Sequence, residues 1–352
     1  MRRRKTKIVN LGGVKIGGRH PVSIQSMTKT NTADIQATVK QIRALEDCGC
    51  QIIRVAVRDR PTAAALDKIK SRINIPLVAD IHFDYRLGLE AIARGVDALR
   101  LNPGNIYRRE QVKAVAGACK RRKIPIRVGV NSGSIRSVKR KAQGAKLKDL
   151  MVESALDYIK LLESFNFYDI IVSLKSSDAA ETVEAYQELA AKCRYPFHLG
   201  VTAAGLPEEG RIKSAIGIGS LLLAGIGDTI RVSLAGNPLE EIKAAKQILE
   251  ALGLRSLGPQ LMVCPTCGRC QTDVIKIAQK LAAKLNHSPF TIHYSPKVAI
   301  MGCEVNGPGE ARHADIGIAC GKKSAVLFKK GRIIRKVKEG EIVSQLLKEL
   351  QA

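Results

Sequence analysis

The 352-residue chain reads as α/β, an N-terminal TIM (β/α)8 barrel followed by a smaller α+β domain. Three observations predict this. From residue 22 onward, short apolar runs alternate with amphipathic segments, and the alternation occurs eight times in about 230 residues. No GxGxxG follows the first run, which disfavours an open dinucleotide-binding sheet. After Gly253 the stretch SLGPQ reads as a linker, and the repeat pattern stops. The expected boundaries are 1–253 for the barrel and 254–352 for the second domain.

The eight strand candidates are VSIQSM (22–27), QIIRVAV (51–57), PLVADI (76–81), ALRLN (98–102), PIRVGVN (125–131), DIIVSLK (169–175), PFHLGVT (196–202) and DTIRVSL (228–234). Helical patterns lie between them. DIQATVKQIRALEDCG opens on an Asp34 N-cap and stops at Gly49, and LEEIKAAKQILEALG ends before Gly253. In the second domain we expect a strand ending at Cys264, a helix over 272–285, the strands KVAIMG, DIGIA and AVLFKKG, and a last helix over 340–350. Residues 132–148, rich in Ser, Gly and Lys/Arg, form a long βα loop.

Lys and Arg number 58 against 32 Asp and Glu, a net charge of +26, so the partner or substrate is anionic. Nucleic acid is disfavoured: there is no Trp, only seven Tyr and six Phe, and no basic stretch interleaved with stacking rings. The Lys139-Arg140-Lys141 run is the feature that an RNA-binding alternative would use. No apolar segment follows the charged start and none of about 18 residues occurs anywhere, so we expect a cytoplasmic protein without membrane anchorage. The odd count of nine cysteines does not suggest a disulfide scaffold. Cys48, Cys50, Cys119, Cys193 and Cys320 read as small core hydrophobes.

In a TIM barrel the site lies at the carboxyl ends of the strands, so polar residues inside apolar runs are the ones to inspect. These are Arg54, Asp80, His82, Arg100, Asn102, Arg127, Asn131, Ser173, Lys175, His198, Thr202, Arg231 and Ser233. A single strand arginine more often pairs with a carboxylate, and Asp80 could serve only to orient one. Five cations on five strands, Arg54, Arg100, Arg127, Lys175 and Arg231, instead call for an anion such as a diphosphate.

The second domain carries CPTCGRC, with Cys264, Cys267 and Cys270, and then GCEVNGPGE, with Cys303 and Glu310. Soft thiolates favour iron-sulfur clusters or zinc. A structural zinc site would more usually use two closed CxxC pairs, and the asymmetry here favours a cluster.

VCPTCGRC and MGCEVNGPGEA, with IKSAIGIGSLLLAGIGDTIRVSLAGNP and SIQSMTKTNTADI upstream, closely resemble the bacterial 4-hydroxy-3-methylbut-2-enyl diphosphate synthase family of the non-mevalonate isoprenoid pathway. The resemblance spans nearly the whole chain. It implies reductive ring opening and dehydroxylation of 2-C-methyl-D-erythritol 2,4-cyclodiphosphate through a 4Fe-4S cluster. By resemblance the ligands are Cys264, Cys267, Cys303 and Glu310, with Glu310 as the displaceable, catalytic one and Cys270 as the competing candidate. The implied substrate-binding set is Arg54, Asp80, His82, Arg100, Asn102, Arg127, Asn131, Ser173, Lys175, Arg231 and Ser233, with Arg255 and Ser256 at the domain junction. An acidic electron donor, ferredoxin or flavodoxin, and a homodimer are implied as well. Ala203 departs from the family pattern, since many members have an acidic residue after the Thr of HLGVT.

Overall fold

The computed structural model describes residues 3–135, 146–255, 258–286, 296–303, 305 and 307–351, without the side chains of Asn286 and Glu310. The chain divides into two compact units, Met1–Arg255 and Ser256–Ala352.

The first unit opens with a hairpin of β1 (Val9–Leu11) and β2 (Val14–Ile16). Eight parallel strands follow: β3 (Ser23–Met27), β4 (Ile52–Val57), β5 (Leu77–Ile81), β6 (Ala98–Leu101), β7 (Ile126–Asn131), β8 (Ile170–Lys175), β9 (His198–Leu199) and β10 (Thr229–Ile230). Their order runs β8-β7-β6-β5-β4-β3-β10-β9, and a bridge between Val172 and Phe197 brings the two ends together. The unit is a TIM barrel.

Because strand side chains alternate with period two, one set faces the helices and the other faces the lumen. Ile53, Val55, Leu77, Ala79, Leu99, Leu101, Val128, Val130, Val172 and Leu174 belong to the main core under the helices. Ile52, Val78, Ala98 and Ile171 fill the lumen and pack against Val9, Leu11 and Ile16 of the hairpin, which closes one end. Hydrophobic patterning anticipates this layer but not the hairpin, whose strands have three residues each.

Helix signals hold up locally. The helix Ile35–Asp47 starts at Asp34, whose carboxylate accepts the Ala37 N–H at 3.0 Å, and stops before Gly49 at φ 99°. Two strands are far shorter than their apolar runs. Beyond Ile230 the backbone finds other partners: Leu234 N–H donates to the Glu241 carboxylate at 3.2 Å and Ala235 N–H to the Gly205 carbonyl at 3.1 Å. Thr202 N–H likewise donates to Ser176 O at 3.0 Å. Residues 136–145, which carry most of the basic 132–148 stretch and Lys139, Arg140 and Lys141, lie outside the described residues.

The second unit is a five-stranded sheet in the order β11 (Gln260–Val263), β12 (Lys297–Met301), β13 (Ile316–Gly321), β14 (Ser324–Lys329) and β15 (Arg332–Lys338). The first three strands run parallel and the last three antiparallel. Helices Val274–Asn286 and Ile342–Gln351 bury Val274, Leu281, Ile342 and Leu346 against Ile318 and Leu327 on one face. Strand β15 is missed by patterning because its sequence, RIIRKVK, is charge-dense and all but Val337 is exposed. Cys50, Cys119 and Cys320 are buried, and Cys48 and Cys193 pack at the edge of the core. Among the described residues no helix is long and apolar enough to cross a membrane.

Candidate functional site

Strand register builds the barrel site. Asp80 pairs with Arg100 across β5 and β6, and Arg100 with Arg127 across β6 and β7, so these three side chains enter the lumen from neighbouring strands at one level. Arg100 Nη1 stands 3.1 Å from Asp80 Oδ1, and Arg54 Nε 3.5 Å from Asp80 Oδ2. Across the lumen Arg231 Nη2 lies 3.4 Å from Glu241 Oε2. Arg127 donates to Gln25 Oε1, while its Nε and Nη2 are buried without a hydrogen-bond partner among the described residues. Lys175, 7% exposed, makes no ion pair among the described residues. Among the described residues these five cations therefore meet two carboxylates, one of which, Glu241, also pairs with Lys29.

The electrostatic consequence is strong. Burial holds Arg127 and Lys175 well below their ordinary values, and the surrounding arginines push the same way. Arg54 is lowered to about 9 by burial, with Asp80 opposing. Burial alone would raise the Asp80 carboxyl, but Arg54, Arg100 and Arg127 outweigh it and keep it below the usual carboxylate range. Excess positive charge in a site shielded from water needs an anion to complete it.

Two glycines make room for the cations. A Cβ at Gly129 would lie 2.4 Å from Arg100 Nε, and one at Gly200 would lie 2.7 Å from Lys175 Nζ and 2.5 Å from the Arg231 carbonyl.

The remaining candidates are placed unevenly. Ser173 is buried on β8 in register with Gly129. Asn102 is buried, and its Oδ1 accepts from Gly104 N–H at 3.0 Å and Ser134 Oγ at 3.3 Å, so its carbonyl shapes the loop. Asn131, at the carboxyl end of β7 and in register with Lys175, is half-buried, as is Ser233. His82 is half-buried just after β5, and its Nδ1 has no hydrogen-bond partner among the described residues. His198 is fully buried, held neutral by burial and by Arg127 and Lys175, with Nδ1 3.4 Å from Thr229 Oγ1. Ala203 is exposed with φ 48°, and Thr202 is half-buried beside it. Arg255 is not brought to this group: Nη2 donates to Gln51 Oε1 at 2.5 Å, at the amino end of β4. Ser256 lies outside the described residues.

Sequence reasoning missed Glu241, Gln25 and Lys29. Glu241, 1% exposed, also accepts from Ser26 Oγ at 3.2 Å and pairs with Lys29 Nζ at 3.2 Å. In the sequence it is one of two acidic residues in a helix's first turn, where acids are ordinary. Gln25 was legible, because it alternates with Ser23 and Met27 on the inward face of β3.

In the second unit the thiols gather at the carboxyl ends of two adjacent parallel strands. Val263 pairs with Ile300, and the chain then continues to Cys264 on one side and Cys303 on the other. Cys264 N–H donates to Ile300 O, Gln271 N–H to Gly302 O and Cys270 N–H to Cys267 O, all at 2.9 Å, which ties the two loops together. Arg269 is raised above its ordinary value by a hydrogen bond to Cys267 and by the nearby Cys303 and Cys264. Hydrogen bonds from Arg269 lower the Cys267 thiol in turn. Thr266, a β-branched residue at φ 59°, sits between Cys264 and Cys267, a left-handed conformation that is costly for such a side chain. Cys270 Sγ lies 3.1 Å from Thr272 O, and a Cβ at Gly302 would come within 2.3 Å of it. Among the described residues no three His, Cys, Asp or Glu side chains already form a metal cage, and the Glu310 side chain lies outside them. The donor set of three loop thiols beside a cation nevertheless fits a thiolate-held cluster better than a carboxylate-binding metal.

Comparison with known proteins agrees with this two-unit organisation. A family model described as GcpE TIM-barrel domain matches residues 6–246, and one described as GcpE protein C-terminal domain matches 260–352. The 4-hydroxy-3-methylbut-2-en-1-yl diphosphate synthase (flavodoxin) of Clostridium perfringens is 53% identical over 351 residues, covering 100% of this chain and 99% of its own. Its namesake from Caldanaerobacter subterraneus is 52% identical over 349 residues, covering 99% and 97%. Among solved structures, dihydropteroate synthase from Stenotrophomonas maltophilia superimposes with a TM-score of 0.54 at 12% identity, over 70% of this chain and 98% of that one, a likeness of fold alone. With both family models matched and half of all positions shared with full-length relatives, the chain belongs to the GcpE family.

Proposed function

We propose that this protein is a 4-hydroxy-3-methylbut-2-en-1-yl diphosphate synthase acting on 2-C-methyl-D-erythritol 2,4-cyclodiphosphate. The observation that carries the reading is the group of five lumen cations that meet two carboxylates among the described residues. Counted on the neutral acids, two electrons and two protons enter, the ring C–O bond to phosphate breaks, and one hydroxyl leaves as water.

Arg54, Arg100, Arg127, Lys175 and Arg231 hold the diphosphate oxygens by charge-assisted bonds, and Asn131, Ser173 and Ser233 supply neutral hydrogen bonds beside them. Asp80 fixes the forks of Arg54 and Arg100, and Glu241 that of Arg231, so the donors are oriented before substrate arrives. Cys264, Cys267 and Cys303, with Glu310, would hold a 4Fe-4S cluster, which when bound supplies the electrons one at a time. The basic surface suits an acidic electron-carrier protein, flavodoxin or ferredoxin. We read the working form as a cytoplasmic homodimer, since a reducing compartment is where loop thiolates persist.

The test is anaerobic reconstitution followed by turnover of the cyclic diphosphate with a one-electron reductant. About four irons and four sulfides per chain, broad visible absorption and formation of the allylic diphosphate are expected. A colourless protein with stoichiometric zinc and no turnover refutes the reading.

A further inference from the structure

The sheet of the second unit has two unequal faces. One is covered by the helices Val274–Asn286 and Ile342–Gln351. On the other, Ala311 and Ala314 pack with Ala299, Met301, Ala319 and the buried Phe328 of β14, and among the described residues that buried cluster extends no further. Half-buried Val326 of β14 and Ile333 of β15, 75% exposed, line an open groove of about 420 Å³ whose floor includes the buried Phe328. Lys322 and Lys336 stand on its rim, and Gln271 and Pro308 form its other wall. Gln271 follows Cys270 and its N–H donates to Gly302 O, next to Cys303, and Pro308 belongs to the one-turn helix Gly307–Glu310. The groove therefore abuts both thiol-bearing loops.

Its charge is one-sided. Residues 316–338 contain eight Lys and Arg and no Asp or Glu. Glu349 pairs with Lys329 at 3.3 Å and Arg335 at 3.1 Å. Lys322, Lys323, Lys330, Arg332, Lys336 and Lys338 make no ion pair among the described residues. Such a field costs the folded state through self-repulsion and contributes steering toward an acidic surface. An apolar centre with a cationic rim is also the make-up of a transient protein interface.

From the groove, its charge and its place beside the thiols, we infer that the open face of β13–β15 is the docking surface for the acidic electron-carrier protein. The inference rests on the synthase reading above and adds to it the place where the carrier binds. The carrier's carboxylates meet Lys322, Lys336 and the neighbouring cations, and an apolar side chain near its redox group covers Ile333.

The test compares the reconstituted parent, Lys322→Glu/Lys336→Glu and Ile333→Ser with two donors, reduced bacterial flavodoxin and dithionite-reduced methyl viologen. With the charge-reversed variant, KM for flavodoxin rises about tenfold or more and loses most of its ionic-strength dependence, while viologen-driven turnover is unchanged. Ile333→Ser gives a smaller rise in the same direction. Calorimetric titration of each holoprotein with oxidised flavodoxin reads the same loss of affinity directly, and it decides the docking site even if no protein turns over the cyclic diphosphate. Equal loss with both donors would mean that this face is covered by a barrel or a second copy, and would overturn the inference. Unchanged flavodoxin affinity in both variants would overturn it too.

Discussion

Asp80 and Arg100 are register partners on adjacent parallel strands, and their side chains meet in the lumen at 3.1 Å. The same carboxylate lies 3.5 Å from Arg54 Nε, so one anion orients two guanidinium groups. Neutralising it leaves both cations buried and unmatched.

Asp80→Asn is therefore expected to lower stability by about 3 kcal/mol, the usual loss when one partner of a buried pair is removed. Inorganic diphosphate should restore part of the loss by binding the native state. Chemical denaturation with and without diphosphate reads both effects, and a variant as stable as the parent contradicts this account of Asp80.

Lys175 makes the opposite case. Its folded pKa is depressed by burial and by the arginines, so between that value and the ordinary lysine value the unfolded chain binds more protons. Stability of the ligand-free protein accordingly rises with pH across that window. Lys175→Met should stabilise the free protein by about 2 kcal/mol near neutral pH and flatten this slope, while weakening diphosphate binding about tenfold to a hundredfold. Urea midpoints near neutral pH and at about pH 9, together with a binding titration, check the three effects. A destabilised variant refutes the claim that the ammonium lacks an ion pair among the described residues.

Gly129→Ala tests the close approach beneath Arg100, because the new Cβ would stand 2.4 Å from its Nε. The guanidinium must move off Asp80, and we expect substrate affinity to fall about tenfold with the visible spectrum unchanged, since Arg100 and the thiols belong to different units. Parental affinity would show that the Arg100 position is not used.

Glu310 and Cys270 are the two candidates for the fourth ligand of the proposed cluster. Cys270 Sγ is already engaged with Thr272 O at 3.1 Å and crowded by Gly302. Cys270→Ser should keep cluster content and turnover near parental, whereas Glu310→Gln keeps three thiolates, alters the electron paramagnetic resonance of the reduced protein and lowers turnover greatly. An unaltered, active Glu310→Gln beside a cluster-poor Cys270→Ser reverses the assignment.

The sequence alone determined the periodic features of this protein. Eight apolar runs alternating with amphipathic segments marked the barrel, and the polar residues inside those runs singled out Arg54, Asp80, Arg100, Arg127, Lys175 and Arg231, because strand and helix each impose a period on the sequence. Local chemistry was equally legible, as at the Asp34 cap and the thiol spacing of CPTCGRC, since neighbours along the chain decide both. Tertiary structure alone decided which carboxylate serves which cation. Glu241 reaches Arg231 from a helix and Asp80 serves two strands, pairings set by how elements pack rather than by spacing. It also sent Arg255 to Gln51 and left a groove open on part of one sheet face, because hydrogen bonds and burial between distant segments leave no period in the sequence that could announce them.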